Sequence, residues 1–239
     1  MAERPAFRLF SGSVMDDALF AASYIKLERA RGFISELDAE RARYVASGPA
    51  KAVMDISTNP PQIEVKWDGI GLLPGAIIGD AVHNLRASLD LMASELARIN
   101  GKSDKGVYFP FAESESALLE SEKFKKFSRC GQDCVEQLMR IKPYRGGNLP
   151  LRCVHDLDIM DKHRALIPTP NALNIDVNGQ FSRRDPRINK FKADIRDVVF
   201  KFPETSALAG QEVIPTLGRL VDSFVGILQA FEGVVAARR

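Results

Sequence analysis

Apolar residues recur every three or four positions along four stretches of the chain, which predicts a protein built mainly from helices. The predicted helical core covers residues 13–46, 74–100, 116–166 and 213–237. The last stretch is the most regular, with apolar residues at Ile214, Leu217, Val221, Phe224, Leu228, Phe231 and Val235. This stripe indicates either a core helix or the seam of a homodimer through the C-terminal helix.

Apolar and polar residues alternate in two other segments, which predicts strands. Residues 53–67 hold two short alternating runs around a turn rich in proline, and residues 173–202 hold two more. The chain shows no internal repeat and no low-complexity tract. We therefore predict a single domain over residues 1–239 of class α+β, mainly α: a helical bundle with a small peripheral antiparallel sheet.

Composition narrows the class of protein. Of 239 residues, 45% are hydrophobic and 27% charged, which fits a globular chain long enough to bury a large core. The 33 Lys and Arg balance 31 Asp and Glu, so net charge does not demand a nucleic-acid or membrane partner. The longest apolar run, residues 70–78, is too short to cross a bilayer, and the first residues lack a secretory pattern. With three cysteines, we expect a cytoplasmic protein with no membrane partner.

Titratable residues concentrate on two of the predicted helices, which also carry every histidine of the chain: His83, His155 and His163. The first of these helices has one apolar face, formed by Ile78, Ala81, Val82, Leu85, Leu89, Met92 and Leu96. Its adjoining face carries Asp80, His83, Arg86 and Asp90, where side chains three or four positions apart can touch. An exposed charged stripe with one helix ion pair is the structural alternative.

The second of these helices, at residues 151–166, has apolar residues all round its axis, which indicates burial on most sides. Its titratable residues are Arg152, His155, Asp156, Asp158, Asp161, Lys162, His163 and Arg164. Because an unpaired buried charge is costly, some of these should pair with each other or with the first helix. An ion-pair lattice that fixes the register of the two helices is the structural alternative.

These two helices resemble motifs shared by a family of uncharacterised bacterial proteins, which have a GDxxHNLRxxLD helix, a Pro-Tyr segment and an LxxxDKHR helix. The matching positions are Gly79, Asp80, His83, Asn84, Leu85, Arg86, Leu89, Asp90, Pro143, Tyr144, Asp161, Lys162, His163 and Arg164. The resemblance implies that the two helices form one unit, and it transfers no activity.

The residue types also resemble, in a general way, those of HEPN-type helical domains, which implies an RNA-directed protein, either a ribonuclease or an RNA-binding protein. In such domains Arg binds the phosphate and His moves a proton near neutral pH. The candidate catalytic residues here are His83, Arg86, His163 and Arg164. The supporting polar residues are Asp80, Asn84, Asp90, Asp161 and Lys162. No His follows an Arg at that superfamily's spacing.

RNA or another phosphate-containing ligand is the partner that this hypothesis expects. The segment at residues 183–201 has seven Lys and Arg against three Asp, a composition suited to backbone phosphates. No cofactor is required for acid–base chemistry of this kind.

Three alternatives remain open. An HD-type phosphohydrolase would hold a divalent metal through His83, His155, Asp156 and Asp222. A structural zinc site would use Cys130, Cys134, Cys153 and His155. Finally, the polar cluster may be read as purely structural, in a non-catalytic interaction protein.

Overall fold

A computed structural model describes residues 18–48, 50–55, 57–163, 166, 168–176 and 190–238 of the chain. Its helices are α1 (Ala21–Ala46), α2 (Leu73–Ile99), α3 (Glu115–Glu120), α4 (Glu122–Phe127), α5 (Gln132–Ile141), α6 (Leu149–Asp161) and α7 (Val213–Ala236). Its strands are β1 (Ala50–Asp55), β2 (Gln62–Trp67), β3 (Thr169–Asp176) and β4 (Lys190–Lys201). The predicted class, α+β and mainly α, is confirmed.

The four strands form one antiparallel sheet in the order β2-β1-β4-β3. Ala52 of β1 lies opposite Val65 of β2 on one side and Ala193 of β4 on the other. β2 lies within the predicted segment at residues 53–67, whereas β1 begins before that segment and β3 begins before the predicted segment at residues 173–202. Backbone ladder bonds extend a strand through polar residues, which hydrophobic alternation does not reveal.

The first predicted helix begins later than its apolar spacing indicates. Residues 18–20 form a turn in which Phe20 has φ of 58°, outside the helical region, and α1 begins at Ala21. The backbone N–H of Phe20 donates to Oε1 of Glu95 at 3.1 Å. A side chain distant in sequence therefore satisfies this N–H. Residues 13–17 of the predicted helix lie outside the described residues.

The predicted helical region at residues 116–166 consists of several helices, α3 to α6. Ser121 separates α3 from α4 by capping the second, since its hydroxyl accepts from the N–H of Phe124 at 3.1 Å. The Oδ1 of Asn148 accepts from the N–H of Leu151 at 3.1 Å, and Pro150 sits in the first turn of α6. This cap starts α6 at Leu149, two residues before the helix predicted at residues 151–166.

The chain divides into two compact units. Unit 1 comprises the described residues of Met1–Arg29, Asn84–Arg152 and Asp222–Arg239, and unit 2 those of Ala30–His83 and Cys153–Val221. The single domain expected from the sequence stays a prediction.

The core of unit 1 is built around aromatic rings. Phe109, Phe127 and Phe231 are fully buried and meet edge to face with ring centroids 6.0–6.4 Å apart. The α2 residues packed in this unit are Leu85, Leu89, Met92 and Leu96, all fully buried. The predicted apolar face of α2 is confirmed here.

The core of unit 2 combines helix and sheet residues. Its buried α2 residues are Ile78, Ala81 and Val82, which complete the predicted apolar face. Its other buried residues include Leu37 of α1, Val154 and Leu157 of α6, Val198 and Phe200 of β4, and Leu217 and Val221 of α7. The sheet therefore contributes to a core, rather than only an outer surface.

The apolar stripe of α7 lies inside the protein. All of its predicted residues are buried except Ile214, which is half-buried. This burial fits the core alternative of the sequence analysis, and the homodimer through the C-terminal helix stays a prediction. Among the described residues, α7 is also the one helix long and apolar enough to cross a membrane, a property that core helices share.

Candidate functional site

Six of the nine predicted catalytic and supporting residues fall into two groups, one in each unit, and each group is completed by residues that the sequence analysis did not select. The His83 cluster, in unit 2, consists of Asp80, His83, Asp158, Asp161 and Lys162. The Arg86 network, in unit 1, consists of Arg86, Asp90, Phe109 and Phe111.

The approach of α6 to α2 in unit 2 depends on a glycine. Gly79 is buried, and a Cβ built on it would overlap the carboxylate of Asp161. Only glycine leaves room for that carboxylate in its present position, since a larger residue requires the Asp161 side chain or one of the helices to shift. The Gly of the GD motif is therefore explained by close packing, and it brings the C-terminal end of α6 to the Asp80 and His83 turn.

A histidine and a nearly buried carboxylate form the centre of the His83 cluster. The Nδ1 of His83 lies 3.3 Å from Oδ1 of Asp158, and the Nζ of Lys162 donates to Oδ2 of Asp158 at 2.6 Å. The side chain of Asp158 is 6% exposed, whereas that of His83 is 60% exposed. Asp158 therefore orients an imidazole that solvent and ligands can reach.

Asp158 was missed as a site residue by the sequence analysis, although two signals pointed to it. It lies on a helix that the apolar pattern predicts to be mostly buried, so its charge needs partners. It also precedes Lys162 by four positions, the spacing of a helix ion pair. The second partner of Asp158 comes from α2, and its identity could not be predicted because it depends on how the two helices pack.

The remaining carboxylates make the surroundings of His83 acidic. The pKa of Asp161 is raised above the usual carboxyl value, first by burial and then by the negative charges of Asp80 and Asp158. The positive charges of His83 and Lys162 oppose this shift. Three carboxylates face one ammonium here, so the cluster does not favour a bound phosphate.

The structure describes less of His163 and Arg164, the two candidate catalytic residues in the DKHR segment. His163 is exposed in the turn after α6, where its N–H donates to the carbonyl of Met160 at 3.0 Å. Its side chain makes no contact with the described residues of the His83 cluster. Arg164 lies outside the described residues, as do residues 183–189 of the predicted basic segment.

Arg86 is occupied by structural contacts. Its Nη1 donates to Oδ1 of Asp90 at 2.5 Å, its Nη2 donates to the carbonyl of Phe109 at 3.1 Å, and its Cζ lies 4.5 Å from the centre of the Phe111 ring. The N–H of Phe109 also donates to Oδ1 of Asp90, at 2.9 Å. With 9% of its side chain exposed, Arg86 fixes the Phe109–Phe111 loop, and these surroundings do not favour its predicted role toward a phosphate.

The predicted metal sets are not assembled. Within the part of the chain that the structure describes, no group of three or more His, Cys, Asp or Glu side chains is placed to hold a metal ion. This applies to the set of His83, His155, Asp156 and Asp222, and equally to the set of Cys130, Cys134, Cys153 and His155. His83 instead contacts Asp158.

Two of the zinc-set cysteines serve the core of unit 1. Burial raises the pKa of the Cys130 thiol to about 12 and that of the Cys134 thiol to about 11, so both stay protonated at neutral pH. Arg238 pairs with both carboxylate oxygens of Asp133, at 2.6 Å each, and donates to Sγ of Cys134 at 3.1 Å. The two thiols lie close to this ion pair between Arg238 and Asp133. Cys153 is buried as well.

Comparison with known proteins assigns no function to the chain, so the evidence for a function is the geometry of these residues. No family model, no curated protein and no solved structure matches the chain.

Proposed function

We propose that this protein is an acid–base catalyst in which His83 moves a proton and Asp158 and Lys162 act as positioning residues. The observation that carries the proposal is a nearly buried carboxylate, held by an ammonium at 2.6 Å, that contacts Nδ1 of an exposed imidazole at 3.3 Å. A carboxylate at Nδ1 favours the tautomer with its proton on that nitrogen. Nε2 is then the nitrogen that accepts a proton from a substrate.

The arrangement suits a general base because its parts are fixed before a substrate arrives. His83 and Asp158 stand on two helices, and Lys162 holds the far oxygen of Asp158. When Nε2 takes a proton from a hydroxyl group, the imidazolium that results is paired with Asp158. A positioned base of this kind contributes on the order of 10²–10⁴ in rate.

The ribose 2′-hydroxyl of RNA is the substrate group that fits both this chemistry and the general resemblance to HEPN-type domains. A base near neutral pH can accept its proton, so that the 2′-oxygen attacks the neighbouring phosphate and forms a 2′,3′-cyclic phosphate. The bond from phosphorus to the 5′-oxygen breaks in this step, and water supplies the proton to the departing 5′-oxygen. The acidic cluster opposes phosphate at His83 itself and Lys162 is paired with Asp158, so the proposal requires phosphate binding by residues outside the His83 cluster. A cytoplasmic location belongs to the same proposal, and three buried free cysteines are compatible with it.

Cleavage of a fluorogenic single-stranded RNA between pH 5 and 9 tests this proposal. We expect His83→Gln to lose about 100-fold in rate, the range of one general base. Asp158→Asn should lose less and should move the midpoint of the pH profile, an effect that a merely structural residue would not have. His163→Gln is the matched control, because His163 has no carboxylate partner among the described residues, and we expect it to retain most of the rate.

Two results would overturn the proposal. Equal cleavage by the wild type and His83→Gln would remove His83 from the reaction. Absence of RNA cleavage by the wild type across this pH range would remove RNA as the substrate. A melting temperature of His83→Gln within about 1 °C of the wild type ensures that lost activity is not lost folding, since exposed substitutions change stability little.

A second candidate function is a non-catalytic interaction protein, and the Arg86 network favours it. Two residues of the predicted polar cluster, Arg86 and Asp90, serve the interior of unit 1, where they fix a loop. If the His83 cluster is structural too, His83→Gln should lower the melting temperature clearly and alter no catalytic rate. Melting curves and the RNA assay on the same samples separate the two functions.

A further inference from the structure

A pocket in unit 1 is independent of the His83 cluster and shares no residue with it. It lies between α1, α2 and the loop at residues 104–108, and its volume of about 320 Å³ is at the lower end of the range for small-molecule sites. The lining residues that matter here are Lys26, Asp90, Leu91, Ser94, Asp104 and Tyr108. The pocket therefore combines both signs of charge with apolar surface.

The two carboxylates of the pocket are held in place by protein contacts that each use one oxygen. Asp90 accepts from Arg86 and from the N–H of Phe109, both at Oδ1. Asp104 accepts from Ser94 at 3.1 Å and pairs with Arg98 at 3.5 Å, both at Oδ2. Oδ2 of Asp90 and Oδ1 of Asp104 have no partner among the described residues. They are preorganised acceptors for a ligand.

Lys26 brings to the pocket a positive charge that has no partner among the described residues. It is half-buried, and within the described residues its ammonium makes neither an ion pair nor a hydrogen bond. A partly buried charge without a partner is unfavourable. An anionic group on a ligand would supply the missing partner.

Two large side chains give the pocket an apolar wall. Tyr108 is 52% exposed and Leu91 is 36% exposed, and both line the pocket. An aromatic ring beside an aliphatic side chain offers contact area to an apolar ligand body at little cost in conformational freedom.

We propose that this pocket binds a free α-amino acid with an aromatic or large aliphatic side chain. Lys26 pairs with its carboxylate, Asp104 and Oδ2 of Asp90 accept from its ammonium, and Tyr108 and Leu91 contact its side chain. Arg86 and Arg98 each contact one oxygen of the two aspartates, so the second oxygen of each can accept from an ammonium while Lys26 pairs with a carboxylate. A simple amine lacks a partner for Lys26, and a simple carboxylate lacks a donor for the aspartates.

Calorimetric titration of the full chain with three probes of similar shape tests this assignment. We expect L-phenylalanine to bind at least tenfold more tightly than phenethylamine, which lacks the carboxylate, and than 3-phenylpropionate, which lacks the ammonium. Lys26→Met should abolish the advantage over phenethylamine, and Asp104→Asn the advantage over 3-phenylpropionate. Asp90 is left intact because the Arg86 network depends on it.

The matched controls are Lys66→Met and Glu120→Gln, two exposed positions outside the pocket, which should bind L-phenylalanine like the wild type. His83→Gln should also bind it normally, because the pocket does not depend on the proposed catalytic function. Binding of L-phenylalanine no tighter than the two partial probes would overturn the proposal with the wild type alone. Unchanged binding by both Lys26→Met and Asp104→Asn would overturn it as well.

Discussion

His83 and Arg86 lie three positions apart on α2, and both are titratable residues of one motif, yet their surroundings differ. The Arg86 side chain is 9% exposed and its guanidinium is shared between a carboxylate, a backbone carbonyl and an aromatic ring. The His83 side chain is 60% exposed and contacts one carboxylate through one ring nitrogen. The first arrangement uses up the donors that a ligand would need, and the second leaves a nitrogen available.

The difference shows that residue type and spacing do not assign a role within a polar motif. Arg and Asp at positions i and i+4 pair in either setting. When the pair is buried it holds a loop in place, because removing either partner leaves an uncompensated group. When a carboxylate is buried beneath an exposed histidine, the same kind of contact orients a reactive side chain.

The largest effect should come from breaking the Arg86 network. Arg86→Ala removes the ion pair of Asp90, which keeps only the N–H of Phe109, and leaves the buried carbonyl of Phe109 without its donor, so we expect a loss of about 3 kcal/mol in unfolding free energy. For a chain of this size the melting temperature should fall by roughly 6–12 °C. Thermal and denaturant unfolding measure it.

Arg43→Ala is the control for this substitution. Arg43 pairs with Glu40 on the exposed surface of α1, so we expect a change below about 0.5 kcal/mol. Equal losses from Arg86→Ala and Arg43→Ala would show that the Arg86 network is no more important for stability than an exposed helix pair.

A smaller effect should follow from filling the space at Gly79. Gly79→Ala places a methyl group where the Asp161 carboxylate lies, and we expect a net loss of about 1–2 kcal/mol despite the better helix propensity of alanine. Adding Asp161→Ala should restore stability, and unfolding of both single variants and the double variant measures the coupling. Additive changes would mean that α2 and α6 do not approach at these residues.

The smallest effect concerns the charge of Asp161. Its pKa in the folded protein is raised by burial and by Asp80 and Asp158, so the protonated form is favoured by folding. That contribution is fully present below the unfolded carboxyl pKa of about 4 and is lost as pH rises through the folded pKa. Asp161→Asn should therefore raise the melting temperature by about 1 °C at pH 7, and the gain should vanish near pH 4.

Melting curves of this variant at the two pH values decide the matter. Asp68→Asn, at an exposed position outside the cluster, should leave the melting temperature unchanged at both. A variant Asp161→Asn that is less stable than the wild type at pH 7 would show that His83 and Lys162 outweigh the two like charges.

The buried faces of the long helices could be predicted because they depend on periodicity alone. The apolar face of α2 is buried from Ile78 to Leu96, and the stripe of α7 is buried from Leu217 to Val235. The pairing of Arg86 with Asp90 follows from the same helical repeat. The start of α1 and the division between α3 and α4 depend on Phe20, Glu95 and Ser121, whose contacts an apolar pattern does not report.

The class of fold, the buried helix faces and the two helices that carry the titratable residues could be inferred from the chain alone, because each of these depends on local repeats. Three contacts became known only from the folded protein: Asp158 meets His83, Gly79 makes room for Asp161, and Arg86 is enclosed by Phe109 and Phe111. These contacts join residues far apart in the chain. Their formation depends on how helices and loops pack, which no spacing within one segment encodes.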